Sequence, residues 1–300
     1  AVNEEVESLK FTPIIEISEG ATITPASGVA QDFSNNKKVT YTVTAEDGTV
    51  KVYTAFVEGT RKVLKYSFED WKEGSKNDEL LPKDLWAGSA AGAGILGGTL
   101  LRKETREDGT YAAKLITFEY PNEPNSLVPK ITAGSIFIGK FDMVPALQGD
   151  RLSCTKFGLD AETVSLGGKP LRFKGVYKYE SGSNYLDASN YEDVKPVDIK
   201  DKGQIQAVLY KVQTGEDGKE IVLTGHDVNT SELRVAVANI IVEDIKEYTP
   251  FNIEFEYLQE YDRNAKYKFA IVCSSSKDGD LFKGAGGSTL IVDEFEVICE

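Results

Sequence analysis

Carboxylates spaced two apart are the main catalytic raw material in this sequence. Glu254 and Glu256 form one such pair, and Glu294 and Glu296 another. On a strand, alternate residues share a face about 6.5–7 Å apart, within the range of the acid and base of an inverting glycosidase. A plainer reading is a solvated, charged sheet face, because Lys178 and Lys268 alternate on strands in the same way. A Ser/His/Asp triad or a His-rich zinc site would rest on His226 alone, the single histidine, which reads as a loop or strand-end residue. Gly92-Ala93-Gly94 and Gly284-Ala285-Gly286 lack the strand-to-helix context of a dinucleotide or phosphate loop. Cys154, Cys273 and Cys299 lack CxxC spacing and read as buried thiols.

Aromatic residues beside polar loops offer a different chemistry. Sugar rings present apolar C–H faces to aromatic side chains, while polar groups bind the hydroxyls. Trp86 stands next to an Ala/Gly-rich segment, and Tyr177, Tyr179 and Tyr185 run into Ser181-Gly182-Ser183-Asn184. Tyr185 is expected to be exposed, whereas Tyr177 and Trp71 read more readily as core. The loop from Ser274 to Ser288 adds Lys277, Asp278 and Asp280 on a glycine-rich backbone that a ligand can approach. Together these three segments make the expected carbohydrate-binding surface, with Trp86, Tyr177, Tyr179, Tyr185, Lys277, Asp278 and Asp280 as its residues.

Two further carboxylates extend apolar strand faces. Asp293 shares a face with Ile291, Phe295 and Val297, and Asp70 continues the face of Leu64, Tyr66 and Phe68. A buried carboxylate needs a Lys, an Arg or a metal ion. If the first and last strands of the domain adjoin, a structural Ca²⁺ held by Asp70, Asp293 and Glu69 is one reading. A turn cap or an ion pair for each is the other.

The elements that must position these groups are strands. Val, Ile, Thr, Tyr and Phe are plentiful and turn residues recur at short spacing, so the chain reads as almost all β, with helix below about a tenth. A small domain over 1–60 contains the clearest hairpin, Val39–Ala45, Glu46-Asp47-Gly48 and Val50–Phe56. A larger domain over 61–300 carries about ten strands, as a two-sheet sandwich of jelly-roll type. The junction is expected at 59–62. Ser231–Ile245 reads ambiguously but its β-branched content favours strand. The net charge of −14 argues against nucleic acid and anionic membrane surfaces. Without an apolar run of membrane-spanning length, no transmembrane segment is expected. Ala1 is compatible with the first residue after a removed signal peptide or lies downstream of a lipid anchor.

Two resemblances follow from these residues. FSNNKKVTYTVTAEDGTVKVYTAFV, within 7–58, resembles the small immunoglobulin-like repeats that open many surface lipoproteins of glycan-degrading Gram-negative bacteria. YSFEDW, the Trp86 segment, AGSIFIGKF, LRFKGVYKY and SSSKDGDLFKGAGGSTLIVDEFEV, in that order, resemble the putative carbohydrate metabolism domain. The second resemblance spans most of 61–300. It implies a fold similar to carbohydrate-binding modules and to some β-sandwich glycoside hydrolases. It also implies a cell-envelope setting, on the outer membrane or in the periplasm, with a polysaccharide or oligosaccharide as ligand and other proteins of a glycan-uptake system as partners. No catalytic residue comes with it. Three functions stay open at this point: a non-catalytic glycan-binding protein, a glycoside hydrolase using an acidic pair, and a structural or adhesive surface protein.

Overall fold

The computed structural model describes residues 2–3, 9–34, 37–57, 60–125 and 128–300. Helix makes up 5% and strand 46%, in line with the all-β expectation. The chain divides into two compact units, Ala1–Val63 with Glu300, and Leu64–Cys299. The division falls inside the strand Thr60–Tyr66; Gly59, at the expected junction, lies outside the described residues.

In the first unit the expected hairpin forms, with Val39–Thr44 antiparallel to Val50–Ala55 and Thr44 opposite Val50. Gly48 adopts φ +81° in the turn, a conformation glycine reaches at no steric cost. Thr22–Thr24 pairs with the other edge of Val39–Thr44, and Lys10–Phe11 pairs with Gln31–Asp32. The core is small: Phe33, Val39 and Tyr41, with Phe11 and Ile23 packed against them.

Two large sheets make the sandwich of the second unit, with three small sheets of two or three strands beside them. The back sheet centres on Thr289–Cys299, which runs antiparallel to Pro170–Glu180 along its whole length. Pro170–Glu180 pairs on its far side with Ile245–Glu254, and Tyr111–Ile116 pairs with Thr289–Val292 and with Leu101–Thr105. The front sheet runs in the order Trp86–Gly88, Ser135–Phe141, Tyr267–Ser274, Gly203–Lys211, Arg234–Val242 and Glu256–Tyr257. The ambiguous stretch thus supplies a front-sheet strand, Arg234–Val242.

Alternation places Ile205, Ala207, Leu209, Phe269, Ile271 and Cys273 on the inner face of the front sheet. They meet Phe173, Phe251, Phe295 and Val297 of the back sheet, with Phe173 and Phe295 edge to face at 5.0 Å between ring centres. Gly175 allows this approach, because a Cβ there would stand 2.5 Å from the Phe295 ring. The outer face of the front sheet is covered too. Phe137, Val208, Tyr210, Ala270 and Val272 pack in a second core with Phe157, from the short strand Thr155–Phe157 that pairs with Ser135–Phe141, and with Leu223 and Val228 from connecting segments. Burial on both faces explains why Tyr267–Cys273 reads as a nearly continuous apolar run.

Two register findings revise the sequence reading. A bulge in Thr289–Cys299 opposite Lys174–Val176, with Glu294 at φ +55°, shifts the alternation. Leu290 and Val292 therefore point inward before it and Phe295 and Val297 after it, and Ile291 does not share their face. Glu254 and Glu256 do not share a strand face either: Glu254 ends a back-sheet strand and Glu256 begins a front-sheet strand, with buried Phe255 at the crossing.

Candidate functional site

The expected aromatics are mostly interior. Trp86 lies on the edge strand of the front sheet, 6% exposed, its ring 5.9 Å from that of Tyr66 and 5.5 Å from that of Phe68. It borders a depression of about 520 Å³ at the sheet edge. Tyr179 is buried and donates to the Ser275 carbonyl at 3.1 Å. Tyr185, expected at the surface, is 5% exposed in a strand, Tyr185–Asp187, paired with Lys283–Ala285. Its hydroxyl donates to Asp278 Oδ2 at 3.0 Å. Tyr177 is half-buried near Phe251. The structure therefore brings the tyrosine segment and the 274–288 loop together, but by packing them, and Trp86 is sequestered by rings from elsewhere in the chain.

The calcium reading is corrected by an ion pair. Arg106 Nη1 lies 2.5 Å from Asp293 Oδ2 and 2.5 Å from Glu294 Oε1, and its guanidinium sits over the Tyr248 ring. Burial pushes the Asp293 carboxyl above its usual range, against the pull of Arg106 and of the Glu294 amide. Asp70 is exposed, and Glu69 accepts the Tyr111 backbone N–H. Among the described residues, no group of three or more His, Cys, Asp or Glu side chains could hold a metal ion.

Three of the four paired carboxylates have charge neighbours. Glu254 pairs with Arg172 at 2.5 Å, Glu296 with Lys174 at 3.0 Å and Glu294 with Arg106. These are partly solvated partners on the back sheet, of the kind that contribute at most about 1 kcal/mol each.

A groove of about 190 Å³ opens on the outer face of the front sheet. Its floor follows the strand register. Ser135, Ser274 and Gln204 form one cross-strand row, and Val272 and Gln206 belong to the next. The Gln204 amide donates to Asn239 Oδ1 at 3.0 Å, and that of buried Gln206 donates to Asn229 Oδ1 at 3.1 Å. One wall comes from two adjoining turns carrying Gly92, Leu96, Met143 and Ala146, with Phe141 at the end of its strand. They touch at Gly92, where a Cβ would lie 2.6 Å from the Phe141 ring and 2.9 Å from the Met143 sulfur. Val228 and Asn229 line another side.

Lys277, Asp280 and Phe282 also line it, so part of the expected loop does reach the groove. Phe282 closes the 3-10 turn Gly279–Leu281 at φ +57°, an uncommon conformation for a bulky residue, and Arg151 lies over its ring at 5.3 Å. Burial holds the Asp280 carboxyl above its usual value, opposed by hydrogen bonds from the Leu281 backbone and Asn229. Both cations at the groove are engaged: Lys277 by the two Asp278 oxygens at 2.6 and 2.7 Å, and Arg151 by the Asn125 carbonyl at 2.9 Å.

One carboxylate not singled out in the sequence holds this loop. Asp201 is 2% exposed, and its Oδ2 accepts from Ser276 Oγ at 2.6 Å, Ser288 Oγ at 2.8 Å and the Ala285 amide at 2.8 Å. Burial raises its pKa, and these donors oppose the rise. The run Lys200-Asp201-Lys202 looks like a solvated charge cluster, so only the fold reveals its role.

A two-sheet β-sandwich with a polar-floored groove on an outer sheet face is the class that fold and site define. The chain belongs to the family described as Putative carbohydrate metabolism domain, whose model matches residues 38–298. A second model, described as SGBP, N-terminal, matches residues 1–57. The chain is similar to a crystal structure from Bacteroides thetaiotaomicron titled a putative glycoside hydrolase: 31% identity, 99% of this chain and 88% of that chain covered, TM-score 0.67. A second structure so titled, from Bacteroides vulgatus, is 28% identical over 79% of this chain and 98% of that one, with TM-score 0.64. No curated protein matches. The family gives the chain a carbohydrate-related function.

Proposed function

We propose that this chain binds a neutral glycan, without turnover, in the groove on the outer face of the front sheet. The observation that carries the reading is the groove's lining: amide and hydroxyl groups in cross-strand rows beneath apolar walls, with Asp280 as the one carboxylate among the described lining residues. Glycoside hydrolysis ordinarily uses two carboxyl groups across the scissile bond. Uronic acids are disfavoured, because both nearby cations already have acceptors. A shallow site in which sugar hydroxyls exchange water for protein groups gives affinities of roughly micromolar to millimolar Kd. We extend the reading to a cell-envelope setting in which the glycan is captured for uptake; fractionation of the native cells tests that part.

Calorimetric titration with a panel of neutral plant, host and microbial glycans tests the binding. Gln204→Ala is expected to weaken it about fivefold, the equivalent of one hydrogen bond worth ~1 kcal/mol, without moving Tm. A panel with no binder, or a Gln204→Ala protein that binds like the wild type, overturns the reading. Hydrolysis is the second reading, favoured by the printed names of the two similar structures. Release of reducing ends that Asp280→Asn abolishes would replace binding with turnover.

A further inference from the structure

The wall of the groove is more apolar than an unmodified sugar needs. Leu96, Met143 and Ala146 line it, and Leu96 is itself 40% exposed. Beside them on the same two turns stand Ile95, 76% exposed, Val144, 55% exposed, and Leu147, 74% exposed. The turns adjoin through Gly92, which lies against Phe141 and Met143, so Leu96, Met143 and Ala146 make one lip of the groove. Isolated exposed aliphatics are ordinary, but such a cluster at the mouth of a polar-floored groove marks a binding surface. The lip is aliphatic or thioether, whereas the rings of the lining belong to Phe141, Phe157 and Phe282. Sugar rings seek the flat π face of an aromatic ring, whereas a methyl group packs well on aliphatic surface.

We propose that the groove selects glycans carrying short O-acyl esters, with the acyl methyl group seated on the lip of Leu96, Met143 and Ala146. The inference rests on the glycan-binding reading and names the chemical class of the ligand. The volume of about 190 Å³ falls below the ~300–1,000 Å³ of drug-sized pockets, which suits one sugar residue with a small substituent and excludes a long acyl chain. The ester carbonyl requires a donor. Gln204 carries two amide hydrogens and Asn239 accepts one, leaving the second for a ligand oxygen at the floor. The ester is recognised, not cleaved, so no nucleophile is called for.

The test titrates acetylated xylan and acetylated glucomannan, each before and after mild alkaline de-esterification, against the full chain. Binding is expected to be about fourfold tighter for the acetylated form per buried methyl, the equivalent of ~0.8 kcal/mol. In the Leu96→Asn/Met143→Gln double variant, its fold checked by Tm, that ratio falls towards one. Equal affinity for the two forms, or a ratio unchanged in the double variant, overturns the inference and leaves glycan binding standing. Failure of every form to bind overturns both.

Discussion

The outer faces of the two sheets of the second unit are built from the same kind of alternating strand and have become different surfaces. On the back sheet the outward positions carry Arg172 with Glu254, Lys174 with Glu296 and Lys114 with Glu104, a ladder of solvated ion pairs. On the front sheet the outward positions carry Phe137, Val208, Tyr210 and Val272, roofed by Phe157, Leu223 and Val228. Where that roof stops, the polar rows of Ser135, Ser274 and Gln204 are left as the floor of a groove. Connecting segments make the difference. A sheet face without a roof must be solvated, whereas a partly roofed face can hold polar groups in a recess where hydrogen bonds to a ligand displace less competing water. Of the carboxylates that looked catalytic by spacing, Glu254, Glu294 and Glu296 lie on the back sheet, the face without walls, and Glu256 begins a front-sheet edge strand.

The comparison can be broken hardest at Arg106, whose partner Asp293 is buried on the back sheet. Arg106→Ala leaves the buried Asp293 carboxylate without its cation and is expected to cost about 3–5 kcal/mol in chemical denaturation. Glycan affinity of the folded fraction should be unchanged, because the groove lies on the other sheet. Loss of binding at full foldedness would show that the two faces are coupled.

Asp201 sharpens the comparison from the groove side. Asp201→Asn presents an amide to the Lys202 N–H or to the hydroxyl donors of Ser276 and Ser288, and is expected to cost about 1–3 kcal/mol. It should also weaken binding, since the loop it anchors carries Lys277, Asp280 and Phe282. The pH dependence has a definite sign. Burial raises the folded-state pKa of Asp201 above 3.8, so its carboxyl holds a proton more tightly in the folded protein. That contribution is fully present below pH 3.8 and is lost as pH rises through the raised value. The wild type should therefore lose stability relative to Asp201→Asn between acid and neutral pH. A difference that stays flat, measured by urea unfolding across that interval, contradicts the buried, cation-free carboxylate.

The smallest effect is expected on the ladder. Glu254→Gln removes one exposed ion pair and should change stability by less than ~0.5 kcal/mol, with no effect on glycan binding or on any release of reducing ends. A large change in either would restore the back-sheet carboxylates as functional groups.

The sequence alone determined what depends on local chemistry. Alternation of apolar and polar residues marked the strands, Glu46-Asp47-Gly48 marked the first hairpin, and the glycine-rich composition marked the 274–288 loop. Part of the site was legible for the same reason, since Lys277 and Asp280 do line the groove. Periodicity tells which residues share a face but not what lies against that face. Trp86, Tyr179 and Tyr185 could not be read as interior until Phe68, Ser275 and Ala285 came to rest on them. A bulge of one residue turned Ile291 away from the face it was assigned, and a sheet crossing at Phe255 separated Glu254 from Glu256. The partner of Asp293 stands 187 residues away in sequence, and the groove joins segments from Ser89 to Phe282. Such pairings have no local signature. They arise only when the chain closes its long-range contacts, because an energy that depends on distance in space is indifferent to distance along the chain.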